Sequence, residues 1–254
     1  MMKEERHSRI CSIINENGSA SVADLSIALN TSPATMRRDL LELDKQKRIK
    51  RTRGGAMPYY PVSEKGIDES RKKDNIFEKE AIAMKALEYI NEGDTLFLDC
   101  STTVIELAKL LSQITIPLTV ITYSLEVTDL IKNNPNIQTI IVGGCYDANI
   151  NATCGFTAEN NLRQLRADKA FVGISGISQN NEFSTSSMID AGLKLIVNSI
   201  TNSIFVLADH TKFGKSLLTS IDIKCDTIIT DKRINGFEYE RLEYNEQIIY
   251  VNEN

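Results

Sequence analysis

The sequence predicts an α/β chain in two parts, a winged helix-turn-helix followed by a mainly parallel sheet covered by helices. Three observations carry this. Helix, helix, turn, helix and a basic hairpin follow one another within the first 57 residues. From Thr95 onward, short apolar runs alternate with amphipathic stretches, the pattern of parallel strands joined by helical crossovers. The charge divides at the same place. Residues 1–57 hold 11 Lys+Arg against 7 Asp+Glu, and the remaining 197 hold 18 against 27, so +4 and −9 make up the overall −5. A basic module that neutralises phosphates is joined to an acidic body that the same polyanion would repel.

The first helix is expected from about Glu4 to Asn17, with Ile10, Ile13 and Ile14 on one face and Gly18 as its stop. The second starts at Ser21, where Asp24 completes a start like a capping box, and runs through Leu25, Ala28 and Leu29. Asn30-Thr31 makes the turn. Ser32 then caps a third helix whose first residue is Pro33, so Thr35, Arg37 and Arg38 project from its first turns while Met36, Leu40 and Leu43 face inward. The ribbon that follows carries Lys47, Arg48, Lys50, Arg51 and Arg53, and Gly54-Gly55 closes it as a wing. The residues expected on double-stranded DNA are Ser32, Thr35, Arg37, Arg38, Lys50, Arg51, Arg53, Gly54 and Gly55. The blander reading of Arg37 and Arg38 is a solvated helix face paired with Asp39 or Glu42.

Residues 58–75 hold prolines, a glycine and many charges with little periodicity, and read as a linker between a DNA-binding domain at 1–57 and an α/β domain at 76–254. A helix is expected from Ile76 to about Asn91. Strands follow at Thr95 to Leu98, Leu118 to Thr122, Thr139 to Val142, Lys169 to Val172, Ile204 to Ala208, Thr227 to Ile229 and Ile248 to Val251. Helices fit Val104 to Leu111, Leu125 to Lys132, Ala158 to Leu165 and Met188 to Asn198.

In such sheets ligands bind outside the carboxyl ends of the strands, so chemistry is sought just after each strand. Those places hold Asp99, Ser101, Thr102 and Thr103, then Ser124, Gly143-Gly144, Gly173 and Lys212, with Lys194 on the helix between the last two strand ends. Hydroxyls, glycines and lysines at helix N-termini describe a pocket for a small polar anion. Five cysteines without Cys-x-x-Cys spacing, and two histidines far apart, give no disulfide framework, no metal site and no call for a cofactor. The charged N-terminus is no signal peptide and the longest apolar runs are strand-sized, so a cytoplasmic protein without a membrane partner is expected.

Thr35-Met36-Arg37-Arg38-Asp39-Leu40, followed by Arg51-Thr52-Arg53-Gly54-Gly55-Ala56, resembles the N-terminal signature of the DeoR family of bacterial transcriptional regulators. Leu98-Asp99-Cys100-Ser101-Thr102-Thr103, Ile141-Val142-Gly143-Gly144, Asp168-Lys169-Ala170-Phe171-Val172-Gly173 and Leu207-Ala208-Asp209-His210-Thr211-Lys212-Phe213-Gly214 are similar to the sensor domain of that family. The resemblance implies a fold like that of ribose-5-phosphate isomerase and glucosamine-6-phosphate deaminase, with a sugar phosphate as effector rather than substrate. This chain departs from the family at Arg53 (usually His), Ser101 (Gly), Tyr123 (Asn), Asp147 (a basic residue) and Asp190 (Glu).

Two functions follow. The first is a DNA-binding repressor of sugar-metabolism genes, set by a small phosphorylated sugar and working as a homo-oligomer on repeated half-sites. The alternative is an isomerase or deaminase with a DNA-binding appendage, for which Asp190 is the nearest candidate base.

Overall fold

The computed structural model describes residues 3–17, 20–46, 48–52, 54–58, 69–239 and 247–251. Gly18, Lys47, Arg53 and residues 59–68 of the expected linker lie outside the described residues. The chain divides into two compact units, Met1–Val62 and Ser63–Asn254.

In the first unit, α1 (Lys3–Asn17) is followed by β1 (Ala20–Ser21), α2 (Val22–Ala28), α3 (Pro33–Lys45), β2 (Ile49–Arg51) and β3 (Gly55–Pro58). Ser32 Oγ accepts the Thr35 N–H at 3.2 Å and Pro33 opens α3, as the capping residues predict. Ile10, Ile14, Leu25, Met36, Leu40, Leu43 and Ile49 are buried together, so the periodic apolar faces of three helices and the wing make one core. The wing is antiparallel, with Lys50 opposite Met57 and Arg51 opposite Ala56. β1 adds a third strand that the sequence reading missed, pairing Ala20 with Ala56 and Ser21 with Gly55. A Cβ on Gly55 would lie 2.1 Å from the Ala20 carbonyl oxygen, so this close strand approach requires glycine. Ser21 serves twice, as the last strand residue and as the cap that accepts the Asp24 N–H at 3.0 Å.

In the second unit, α4 (Glu69–Lys73) and α5 (Ile76–Leu87) lead into β4 (Thr95–Leu98), α6 (Thr102–Leu111), β5 (Leu118–Thr122), α7 (Leu125–Ile131) and β6 (Ile137–Ile141). A ribbon of β7 (Cys145–Asp147) and β8 (Ala152–Cys154) precedes α8 (Gly155–Arg163) and β9 (Ala167–Gly173). Then come β10 (Gly176–Ile177), β11 (Phe183–Thr185), α9 (Met188–Ile200) and β12 (Thr201–Leu207). A 3₁₀ turn at His210–Lys212 leads to β13 (Thr219–Ile221), β14 (Thr227–Thr230) and β15 (Gln247–Tyr250).

Seven strands form one parallel sheet in the order β15-β14-β12-β9-β4-β5-β6. Alternation along the strands feeds two cores. Leu96 and Leu98 pack with Ile82, Leu107 and Val127 of α5, α6 and α7, whereas Phe97 packs with Leu162, Leu193 and Val197 of α8 and α9. Successive strands run outward from β4 in one direction and from β9 in the other. The reversal between these two neighbours is the switch point at which such sheets open a crevice.

Candidate functional site

The exposed face of α3 is set by how its other face is held. Asp39 is buried and receives the Arg6 guanidinium through Nε at 2.7 Å and Nη2 at 3.1 Å, with His7 Nε2 3.1 Å away. Burial works against the Asp39 charge, but Arg6 and His7 outweigh it and hold the carboxyl below the usual aspartate range. Glu42 is taken by Lys3 at 2.6 Å. Both carboxylates that could neutralise Arg37 and Arg38 are therefore engaged by α1. Arg37 and Arg38 are exposed and have no ion pair among the described residues. Lys50 and Arg51 are exposed on β2, and the Arg51 N–H is anchored to Asp44 at 2.9 Å.

The strand ends of the second unit gather most of the other expected residues, in two sets. The first set lies at the switch point. Asp99, just after β4, accepts the Gly173 N–H at 2.8 Å and the Ser101 N–H at 2.8 Å, which ties the ends of β4 and β9 together. Ser101 stands where a Cβ on Gly173 would lie, 2.3 Å from its Oγ, so glycine is required for this approach. Lys194 Nζ reaches Asp190 at 2.5 Å and Asp99 at 3.2 Å, and Tyr123 OH donates to Asp190 at 2.9 Å. All four side chains are buried. Burial opposes the charge on Lys194, but Asp190 and Asp99 outweigh it and hold the ammonium above its ordinary range. Burial pushes the Asp99 carboxyl up against the opposing pull of Lys194. Burial also drives the Tyr123 phenol well up, with Asp190 adding to it, so the phenol stays a donor. One ammonium between two carboxylates has no surplus positive charge to offer a phosphate. Asp190 accepts from Tyr123, Lys194 and Thr185, which leaves it poorly placed as a base.

The second set surrounds Asp209, which caps the 3₁₀ turn by accepting the Thr211 N–H at 2.9 Å. Lys212 Nζ lies 3.4 Å from Asp209 Oδ2, and this oxygen is buried without a hydrogen bond. Burial pushes the Asp209 carboxyl up, but Lys212 and Thr211 prevail and hold it low. Lys79 of α5 is buried and donates to the carbonyls of Arg71 and Asp74, the latter at 2.6 Å. Burial lowers the pKa of both Lys79 and Lys215, and Lys212 lowers each further, so three lysines lie in electrostatic reach of one carboxylate. Lys79 also lies in electrostatic reach of Arg71 and Asp74. Lys194 and Lys212, which the sequence groups in one pocket, thus fall in different sets.

The remaining expected residues cap and connect. Ser101 and Ser124 are the N-caps of α6 and α7, accepting from Val104 and Val127. Thr102 and Thr103 follow Ser101 in the first turn of α6, with Thr103 buried. Gly143 accepts from Asn161 Nδ2 at 3.1 Å, and Gly144 leads into the β7–β8 ribbon. The ribbon closes back on β5 through Thr153 N to Tyr123 O at 2.9 Å and a bridge between Ser124 and Ala152.

Glu78, His210 and Asp231 bring three ligand-type atoms within 4.8 Å of one another. His210 bonds Asp231 through its backbone N–H at 2.6 Å and through Nδ1 at 2.7 Å, and these bonds account for that pairing without an ion. A cavity of about 420 Å³ lies at the opposite, amino ends of the strands, lined by Thr95, Arg166, Asp168, Thr201 and Asn202. Among the described residues no helix is long and apolar enough to cross a membrane.

Sequence reasoning missed Lys79 and Lys215 and the anchoring of α3 by Arg6 and His7, because these are tertiary contacts with no local motif. The burial of Lys194 did leave a signal. Asp190 and Lys194 are an i,i+4 pair on a helix otherwise made of Met, Ile, Ala, Gly, Leu and Val through Val197.

A helix-turn-helix whose arginine face is unpaired among the described residues, in one chain with a parallel α/β unit, defines a DNA-binding transcriptional regulator. Residues 6–59 match the DeoR-like helix-turn-helix domain and residues 74–232 the DeoR C terminal sensor domain. The chain belongs to the DeoR family. It is 32% identical to the HTH-type transcriptional regulator GolR of Listeria innocua serovar 6a, with 96% of each chain covered. The L-fucose operon activator of Haemophilus influenzae is 33% identical, covering 87% of this chain and 89% of the relative. The lactose phosphotransferase system repressor of Lactococcus lactis is 31% identical, covering 92% and 93%. These relatives are regulators, and so is this chain; it is not an enzyme. Among solved structures, ribose 5-phosphate isomerase A of Methanocaldococcus jannaschii covers 55% of each chain at 18% identity and a TM-score of 0.42, too slight a likeness to argue from.

Proposed function

We propose that the chain is a cytoplasmic repressor of carbohydrate-metabolism genes whose affinity for operator DNA is set by a small phosphorylated sugar. Residues 1–57 are the DNA-binding domain and 76–254 the effector domain, and the linker expected over 58–75 runs into α4 (Glu69–Lys73) of the second unit. α3 enters the major groove with Ser32 and Thr35 at its first turn, and Arg37 and Arg38 reach guanine edges or phosphates. Lys50, Arg51, Arg53 and the Gly54-Gly55 backbone grip the phosphate chain as a wing. One observation carries the reading: Arg37 and Arg38 are exposed while α1 consumes both neighbouring carboxylates. A single winged helix gives a small footprint, so the repressor acts as a homo-oligomer on repeated half-sites.

The names of the fucose and lactose relatives support a sugar-related target. The effector's phosphate is received by the cationic set of Lys212, Lys79 and Lys215. Ser101, Thr102, Thr103, Ser124, Gly143, Gly144 and Gly173 supply the remaining strand ends of the site, while Asp99 and Lys194 lock the ends of β4 and β9 to α9. The effector acts by binding one arrangement of the repressor better than another.

The test of the DNA face is the salt dependence of binding to DNA that the full chain selects from a random pool. Arg38→Ala is expected to weaken binding and to flatten the slope of log affinity against log salt by about 1. An unchanged slope removes Arg38 from the phosphate contacts.

A further inference from the structure

The β7–β8 ribbon carries two cysteines in register. Cys145 opens β7, Cys154 ends β8, and the two are direct cross-strand partners. Directly opposed residues of an antiparallel pair point to the same face with Cα atoms about 4.5–5.5 Å apart. That lies within the roughly 4.4–6.8 Å a disulfide spans. Cys11 lies on α1 and Cys100 and Cys225 lie in connections, and none is paired in register with another cysteine. Cys145 is exposed, so a dissolved oxidant reaches it. Cys154 is 7% exposed, and its thiol donates to the Cys145 carbonyl at 3.3 Å, so its sulfur already lies against the partner residue. Burial pushes the Cys154 thiol up, with Asp147 and Cys145 adding to the effect, which keeps it protonated and leaves the first attack to Cys145.

We propose that Cys145 and Cys154 form a peroxide-responsive thiol pair that clamps the ribbon. The Cys145 thiolate attacks one oxygen of hydrogen peroxide. An S–O bond forms, the O–O bond breaks, and the departing oxygen leaves as water, giving a sulfenic acid. The Cys154 sulfur then attacks the Cys145 sulfur, the S–S bond forms, and the hydroxyl leaves as a second water with the Cys154 proton. Two thiols and one peroxide become one disulfide and two waters, a two-electron oxidation of the pair. A thiol or thioredoxin-type dithiol reverses it.

The ribbon's position gives the clamp a consequence. It starts directly after Gly143-Gly144, bridges Ser124 through Ala152, and ends at Cys154, the residue that begins α8. On the reading that Ser124, Gly143 and Gly144 line the effector site, fixing the ribbon changes how tightly that site holds a sugar phosphate.

The test treats the reduced full chain, freed of reductant, with a few equivalents of hydrogen peroxide, then digests it under non-reducing conditions for mass spectrometry. The expected result is one dominant Cys145–Cys154 cross-linked peptide and a loss of two thiols per chain, restored by dithiothreitol. Cys154→Ser is expected to accumulate a dimedone-trapped sulfenic acid at Cys145, and Cys145→Ser to give neither product. Five intact thiols, or Cys145 recovered in a disulfide with another chain, would overturn the proposal. A thermal-shift titration with hexose 6-phosphates, before and after oxidation, separates the two readings. A shift that the disulfide leaves unchanged removes the ribbon from the effector site and leaves the thiol pair standing.

Discussion

Lys194 Nζ lies 2.5 Å from Asp190 Oδ2, one turn back on the same helix, and both side chains are out of solvent. A buried ammonium is tolerable only because two carboxylates meet it, and Asp99 supplies the second from the end of β4. The cluster joins α9 to the switch point of the sheet, so its first role is to hold the strand ends in place.

Removing the cation strands both carboxylates in the core. Lys194→Met is expected to destabilise the second unit by about 3–5 kcal/mol in chemical denaturation. Because the folded pKa of Lys194 is raised, its contribution is complete below the unfolded lysine value of about 10.4 and is lost only as pH rises beyond it. A loss under 1 kcal/mol would mean that the pair contributes little.

Asp39 titrates in the opposite direction. Its folded pKa is depressed, so its contribution is present above the unfolded value of about 3.9 and is lost as pH falls below it. By calorimetry, Asp39→Asn is expected to cost the first unit about 1.5–3 kcal/mol at pH 7. The gap between the two proteins should close near pH 2. A gap of constant size across that range would show that the Arg6 and His7 contacts do not depend on the charge.

Lys212→Ala tests the placement of the effector. A sugar phosphate at a hundred times its Kd raises the stability of the folded chain by about 2.7 kcal/mol, seen as a higher Tm. The variant should lose most of that shift. Equal shifts in the two proteins would move the anion away from the Asp209 set.

Much of the fold was legible because its signals are local. Thr95–Leu98 and Leu118–Thr122 emerge with the boundaries the apolar runs indicated, since both strands are buried on two faces. The cap at Ser32 and the proline behind it fixed the start of α3. The β7–β8 ribbon left no such trace: its strands are three residues each, and Cys145 and Tyr146 are exposed, so no apolar alternation marks them. β1 was hidden by Ser21, whose capping pattern with Asp24 is indistinguishable in sequence from a helix start without a strand before it. At the strand ends the sequence named hydroxyls, glycines and lysines but could not sort them. Whether a lysine faces one carboxylate or two depends on which strands become neighbours, and β4 and β9 are far apart in the chain.

The proposed repressor couples operator DNA to a small phosphorylated sugar. The direct measurement is fluorescence anisotropy of DNA selected by the full chain, repeated across a panel of sugar phosphates with their unphosphorylated sugars as controls. At least one phosphate ester is expected to shift the DNA affinity by fivefold or more, on the order of 1 kcal/mol of coupling. The parent sugar should have no effect, and Lys212→Ala should abolish the response. DNA affinity that stays constant across the whole panel would contradict this coupling.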